Sequence, residues 1–467
     1  MRPYQRNMEN THINQAASYL PEGEAFKRNL AARHTRATIW GRFFGLANVV
    51  ALIALMAIFL NIVNQTFGYV AIQYTVDPAT LSERPLEELS NDELAHIMVA
   101  NMGARVRVVI RDQLSAVEPD QFTTLPISRV LAGRAYPAER ANLTISDLTE
   151  DEWAAILSAN LSQKQLLEAV NSQIIQPQIA ASWRLFDSIF NRAAIEAEVD
   201  EKYPDTQLVF RSWLSTDFIN RSISSSPITA GLRTALLGSV WIIGITVLVA
   251  FPLGVGAAIY LEEYAKPNRI NRLIETNIRN LAGVPSIIYG MLGLAVFVRA
   301  LGDVTSGAVF GVTESNGRTV LSAGLTMALL ILPVIIINAQ EAIRAVPRSI
   351  REASYGVGAT QWQTIWHQVL PAALPGILTG VILSMSRAVG ETAPLIVVGA
   401  STFIGIDPNG PFSKFTVIPI QIYQWTSRPE PEFKSTAAAA IIVLLALLLL
   451  LNGAAIILRQ RFSRRFA

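Results

Sequence analysis

The sequence predicts an all-α polytopic membrane protein with six transmembrane helices, plus an inserted extracytoplasmic α+β domain after the first helix. Three observations carry this expectation. Of 467 residues, 51% are hydrophobic and only 16% charged, and the mean hydropathy is +0.35, a balance that belongs to membrane proteins rather than soluble enzymes. Six stretches reach the roughly 20 apolar residues that a helix needs to cross a bilayer. The long stretch from Asn64 to Arg233 has instead the mixed composition of a soluble domain. A soluble core has no use for so many uncharged spans of that length.

An N-terminal arm, residues 1–42, leads into the first span, Phe43–Val63, which has no charged residue. This span is too long for a signal-peptide hydrophobic region and lacks a small-residue cleavage site, so it is expected to remain as an anchor. In the outer segment, residues 64–233, Gly68–Val76 is rich in β-branched and aromatic residues and reads as a strand, with Gln207–Trp213 as its partner. Ser90 with Glu93, and Thr149 with Glu152, have capping-box spacing and start helices over Leu94–Leu114 and Trp153–Ile175. The importance of this segment is open between a docking platform for a partner outside the membrane and a spacer.

The second span runs Ala235–Leu261, the third Leu281–Val298, the fourth Leu321–Ala339, the fifth Gly376–Ile404 and the sixth Ala437–Leu458. Basic residues orient them. They cluster in the arm (Lys27, Arg28, Arg33, Arg36, Arg42), between the second and third spans (Lys266, Arg269, Arg272, Arg279) and between the fourth and fifth (Arg344, Arg348, Arg351). The tail, residues 459–467, adds Arg459, Arg461, Arg464 and Arg465. The remaining short loops are poorer in Lys and Arg. Both termini and the loop before the fifth span are therefore expected in the cytoplasm.

With no cysteine, disulfide and thiolate chemistry are excluded. The four histidines, His12, His34, His96 and His367, are scattered and suggest no metal centre. No G-x-x-x-x-G-K-[ST] phosphate loop is present, so no ATP site is expected in this chain. No pattern for nucleic-acid binding stands out either.

The fifth span is unusual because it holds Arg387 and Glu391, in the run Ser384 to Pro394 (Ser-Met-Ser-Arg-Ala-Val-Gly-Glu-Thr-Ala-Pro). If its helix starts near Gly376, Arg387 lies about 16 Å along the axis. A spacing of four puts Arg387 and Glu391 on one face, within reach of an ion pair. Such charges are expensive in a bilayer and face a protein interior or an aqueous pathway. One reading is a pair that locks helices together. The other is an anion pathway, in which Arg387 offers planar donors to an oxyanion, Glu391 holds it when no anion is present, and the hydroxyls of Ser384 and Thr392 line the route.

Between the fourth and fifth spans stands Glu352-Ala353-Ser354, then Gly358, then Leu370-Pro371. This spacing resembles the EAA loop of ABC-importer membrane subunits, with Ser354 in place of the second alanine and Gln368 in place of the usual isoleucine. Physically it calls for a short helix, a hinge at Gly358 and a second short helix. Together with the Gly283–Gly290 run (Gly-Val-Pro-Ser-Ile-Ile-Tyr-Gly) and Arg387–Pro394, it makes the chain, over about Thr229–Leu458, similar to the PstA-type permeases of phosphate ABC importers. The resemblance implies a type I importer (MetI-like) core over residues 234–458. It also implies a homologous PstC-type permease partner, a cytoplasmic ATPase dimer that holds the ATP and Mg, and a periplasmic phosphate-binding protein. Glu352, Ala353, Gly358, Leu370 and Pro371 would then couple to the ATPase, and Arg387 and Glu391 would serve phosphate passage in a bacterial inner membrane. No family role transfers to residues 64–233.

Other oxyanions (sulfate, molybdate, phosphonate) remain open, because an Arg does not by itself distinguish them. A membrane sensor would call for a cytoplasmic output module, and nine residues follow Leu458. An intramembrane enzyme would call for His, paired Asp or a Ser-based site within the spans, which offer Arg387 and Glu391.

Overall fold

The computed structural model describes residues 23–115, 121–311, 316–400, 404 and 407–466. His12, most of the N-terminal arm, residues 401–403 of the expected fifth span and the side chains of Arg464 and Arg465 lie outside the described set. The chain divides into two units, Met1–Ile62 and Val63–Ala467.

Helix α1, Glu24–Thr66, supplies the described part of the first unit. The hydroxyls of Thr35 and Thr38 fold back on the carbonyls of Ala31 and His34, so these polar groups are satisfied within the helix. Trp40, Phe43 and Phe44 cluster where the apolar stretch begins, with ring centroids 5.7–6.0 Å apart, a placement suited to the membrane–water boundary.

The second unit opens with strand β1, Phe67–Gln73. Helix α2, Asn91–Met102, is started by the capping box of Ser90 and Glu93. The expected long helix over Leu94–Leu114 is broken at Gly103, whose φ of +49° suits glycine alone; a separate helix follows at Val106–Leu114. Helix α3, Glu150–Asn160, carries the Thr149/Glu152 box. The helix expected to continue to Ile175 breaks at Leu161 and restarts as α4, Gln163–Val170, under its own box of Ser162 and Gln165. These helices bury Leu94, Met98, Ile156, Leu157 and Leu166 in one core.

Strand β2, Gln178–Ser182, and strand β3, Gln207–Ser212, flank β1 in a three-stranded antiparallel sheet of order β2-β1-β3. Tyr69 faces Phe210 and Val70 faces Val209, so the expected pairing of the two outer segments is formed. Strand β2 has no counterpart in the sequence reading. Its Gln-Ile-Ala-Ala-Ser is short and weakly β-branched, and it is recruited by the open edge of β1.

The rest of the unit is helical. Helix α5 is Arg233–Ile259, extended by a π-turn at Tyr260–Tyr264. Helix α6, Arg269–Leu281, and helix α7, Ser286–Gly293, meet at a bend of 107°. Helix α8 is Val320–Arg344 and α9 is Arg348–Gly356. Helix α10, Leu370–Gly390, is followed by short α11, Ala393–Val398. Helices α12, Ile418–Thr426, and α13, Glu432–Phe466, complete the chain. Among the described residues, five helices are long and apolar enough to cross a membrane, or six if the α6–α7 pair counts as one bent span.

Two spans differ from expectation. The third begins at Ser286, because Gly283 and Pro285 turn the chain and Leu281 ends the preceding helix. The fifth runs Gln361–Gly390 rather than from Gly376 through 404. Pro371 and Pro375 do not delay its start. The helix widens to π geometry over Ile365–Val369 just ahead of Pro371, where a donor is missing, and continues.

Small residues set how closely the membrane helices pack. A Cβ on Gly254 of α5 would stand 2.6 Å from Ile335 of α8, and one on Gly324 of α8 would stand 2.6 Å from Ile245. The hydroxyl of Thr246 donates to the carbonyl of Gly324 across the same contact, at 3.2 Å. On the other side of α8, Gly376 and Gly380 of α10 lie against Ala342 and Asn338. Below the sheet, Val70, Trp213 and Phe218 share a core with Trp425 and Phe433, so the sheet segment is seated directly on α12 and the start of α13.

Candidate functional site

The Glu352–Pro371 motif folds as expected into two helical pieces about a glycine. Helix α9 ends at Gly356, and Gly358 takes φ +86°, a left-handed turn that a side chain would strain. The chain then re-enters a helix at Gln361, capped reciprocally by Thr360 and Gln363. A hydrogen bond of 2.9 Å between the hydroxyls of Ser354 and Thr364 ties the two pieces together, so the substitution of serine for alanine here adds a tie. Glu352, Ala353 and Gly358 are exposed, while Leu370 and Pro371 are half-buried. Gln368 is exposed and the burial falls on Ile365 and Val369, which anchor the second piece in place of the missing isoleucine.

The motif also presents an apolar surface. Val357 is 86% exposed, and Tyr355, Trp362 and Trp366 are exposed beside it. The two indoles stack, with centroids 5.5 Å apart.

Two acids that the motif reading missed hold this element. Arg351 donates twice to the Glu263 carboxylate, at 2.7 and 3.1 Å, and also to the carbonyls of Val346 and Ile343 at 2.8 and 3.0 Å. Arg344 is paired with Glu262, at 2.5 and 3.2 Å, and the side-chain amide of Gln361 donates to the Glu263 carbonyl at 2.5 Å. The loop arginines Arg344 and Arg351 are therefore neutralised within the chain. The available signal was the Glu262-Glu263 pair directly after an uncharged span, opposite a basic loop.

The Arg387 segment departs further from expectation. Helix α10 ends at Gly390, and Glu391 is already extended, with φ −86° and ψ 114°. The spacing of four therefore does not place Arg387 and Glu391 on one helix face, and no ion pair joins them among the described residues. Arg387 lies about 25 Å from Leu370 along the axis, close to the helix end rather than midway. Its side chain is exposed and that of Glu391 half-buried. Ser384 is buried and donates to the carbonyl of Gly380 at 2.9 Å, so its hydroxyl is satisfied within the helix. Thr392 is half-buried at the head of α11, and its carbonyl accepts from the Ile396 N–H.

The tertiary structure brings two sequence signatures together here. A Cβ on Gly290, the last residue of the Gly283–Gly290 run, would stand 2.6 Å from the Cα of Pro394. The backbone break at Glu391–Thr392 is thus packed against α7 at a position only glycine fits. Breaks in membrane helices are tolerated where they are buried in protein or line an aqueous cavity. Among the described residues no cluster of His, Asp and Glu suited to a metal ion occurs.

Residues 250–464 match the family described as the binding-protein-dependent transport system inner membrane component. The probable ABC transporter permease protein YqgI of Bacillus subtilis is 32% identical over 46% of this chain and 68% of its own length. The phosphate transport system permease protein PstA of Haemophilus influenzae is 31% identical over 48% of this chain and 74% of its own. PstC of the same organism is 34% identical over 40% of this chain and 62% of its own. The family match leaves the sheet-containing segment outside it. A predominantly helical, multi-pass membrane chain with these relatives belongs to the inner-membrane permeases of binding-protein-dependent ABC transporters, and within them it is similar to the PstA phosphate permeases.

Proposed function

We propose that the chain is the permease subunit of an ABC importer that carries inorganic phosphate inward across the cytoplasmic membrane. ATP is hydrolysed on a separate cytoplasmic ATPase dimer, and a PstC-type permease and a periplasmic phosphate-binding protein complete the assembly. The observation that carries this is Arg387. It is an exposed guanidinium within a membrane helix, unpaired with any carboxylate among the described residues, beside a packed break in the backbone. A charge so placed demands an anion or an aqueous route. The names of the PstA and PstC relatives favour phosphate among the oxyanions.

In this reading Arg387 contacts the passing anion, and Thr392 and Glu391 at the break define the route. The exposed surface of Glu352–Pro371 seats the ATPase, and the Arg351–Glu263 clamp passes its motion to α5 and α8. Both termini are cytoplasmic, and residues 64–233 are extracytoplasmic. The test is uptake of radiolabelled phosphate by cells with the assembled transporter, comparing wild type with Arg387→Gln at matched membrane levels. Loss of uptake with the ATPase still co-purifying supports the pathway. Full uptake would remove Arg387 from it, and uptake of sulfate without phosphate would reassign the cargo.

A further inference from the structure

The short helix Leu185–Phe190 has the reverse of the patterning that water selects. Phe186, Ile189 and Phe190 share one face by their i, i+3 and i+4 spacing. That face is open: Phe190 is 79% and Ile189 59% exposed, and Phe186 is exposed beside them. The polar contact lies on the other side. Ser188 is buried, and its hydroxyl donates to the Arg184 carbonyl at 2.8 Å and accepts from the Tyr69 N–H at 2.9 Å. A helix at a protein–water surface buries its apolar stripe and shows its polar one. Adjoining large apolar side chains turned outward mark a face with an apolar partner.

The fold fixes where that face stands. The Phe186 N–H donates to the side-chain oxygen of Asn64, in the last turn of α1, at 2.8 Å. The Trp183 N–H donates to the Tyr69 carbonyl at 2.9 Å. A Cβ on Gly68 would overlap the Trp183 carbonyl, so the segment is pressed on the start of β1 as closely as glycine allows. Asn64 directly follows the uncharged run Phe43–Val63. As a helix that run is about 31 Å long, which matches the roughly 30 Å hydrocarbon core of a bilayer. Asn64 therefore lies about 1.5 Å beyond the hydrocarbon edge. The headgroup layer is about 5–7 Å deep on each side, so a helix hydrogen-bonded to Asn64 begins inside it. Phenylalanine and isoleucine side chains at this level reach acyl chains directly, and a protein partner would first have to displace lipid. Arg184, exposed at the head of the helix, is long enough to keep its charge among the headgroups.

We infer that Leu185–Phe190 is an interfacial anchor. Phe186, Ile189 and Phe190 insert into the leaflet at the Val63 end of the first span and give the sheet-containing segment a seat on the bilayer, in addition to its seat on α12 and α13. The partner is lipid, recognised through its acyl chains rather than through one headgroup. The helix lies outside residues 250–464, the matched permease region. The inference rests on Phe43–Val63 crossing the membrane and is independent of the cargo.

The chain has no cysteine, so single labels can be placed without background. The test puts an environment-sensitive fluorophore on Phe190→Cys or Ile189→Cys in the full chain, with one chain per lipid nanodisc. Asp205→Cys is the control. It is exposed, and it precedes Gln207, which pairs with Ile72 about 17 Å along the strand from Phe67. Emission at 189 and 190 is expected to be blue-shifted from that at 205, and to be quenched by lipids carrying a nitroxide on the acyl chain near the headgroup. The label at 205 should stay unquenched. All three positions are exposed, and folding is checked by the unfolding temperature. The inference is overturned if the labels at 189 and 190 emit like the one at 205, because the face is then in water. A blue shift without lipid quenching also overturns it, since protein then covers the face. A blue shift found only in discs that hold two chains assigns the face to a second copy and overturns it as well. Phosphate uptake tests the transport reading separately, so either can fail alone.

Discussion

Replacing Arg351 should damage this protein far more than replacing Arg344, although both are arginines paired with neighbouring glutamates at the end of α5. The difference is burial. The side chains of Arg351 and Glu263 are 17% and 7% exposed, whereas Arg344 is 57% exposed. Arg351→Ala would leave the Glu263 carboxylate buried without its cation and strip donors from two carbonyls. Breaking a buried pair from one side costs about 3–5 kcal/mol. Arg344→Ala removes a pair that is solvated on the arginine side, with Glu262 14% exposed, at a cost of about 1 kcal/mol. For a unit of this size, about 2–4 °C of melting temperature corresponds to each kcal/mol. The expected losses are therefore roughly 6–20 °C for Arg351→Ala and at most about 4 °C for Arg344→Ala. The assay is thermal unfolding of the purified chain in detergent, followed by circular dichroism. The double variant Arg351→Met with Glu263→Leu removes both charges and should recover most of the loss. Equal losses for Arg344→Ala and Arg351→Ala, or no recovery in the double variant, would refute the assignment of the clamp to a buried charge pair.

Gly380→Val places a Cβ 2.3 Å from the Cβ of Asn338, and the overpacking should cost about 1–3 kcal/mol; an unchanged unfolding temperature would mean α8 and α10 are not held at this spacing. Gly358→Ala forces a side chain into φ +86° with open space around it, so the penalty is backbone strain of about 1–2 kcal/mol with no clash. In the assembled transporter it should lower phosphate uptake more than ATP hydrolysis, and equal losses in the two rates would count against a coupling hinge. The capping boxes predict a pH effect. The Ser90 N–H and hydroxyl hold the Glu93 carboxyl below its ordinary range, and the Thr149 N–H does the same for Glu152. A depressed carboxylate pKa stabilises the fold above the unfolded value of about 4.3 and is lost as pH falls through the folded value. Hydrogen exchange in α2 and α3 should therefore rise on acidification below about pH 4.3. Glu93→Gln with Glu152→Gln removes the titrating carboxyls and should flatten that dependence, and an unaltered profile would exclude the boxes as its origin.

Features that depend on local spacing were legible in the chain. The uncharged spans followed from the length a bilayer requires, and the helix starts at Ser90 and Thr149 followed from reciprocal capping. The hinge at Gly358 followed from the residue's freedom at positive φ. Strands β1 and β3 were legible from their β-branched and aromatic content. Misjudged boundaries cluster at prolines and glycines. Pro371 and Pro375 were absorbed by a π-turn inside a continuing helix, and Gly103 broke a helix that apolar spacing alone carried through.

Charge partners were decided by the tertiary structure. Arg387 and Glu391 are four residues apart, and local spacing pairs them. The packing of Pro394 on Gly290 ends the helix between them and separates them. Arg351 and Glu263 are 88 residues apart, and no local pattern links them. The close approach of α5 and α8 at Gly254 and Gly324 brings them together. A sequence specifies which groups must be satisfied, because a buried charge or broken backbone is costly wherever it falls. Which group satisfies which depends on distances that exist only once the helices have packed.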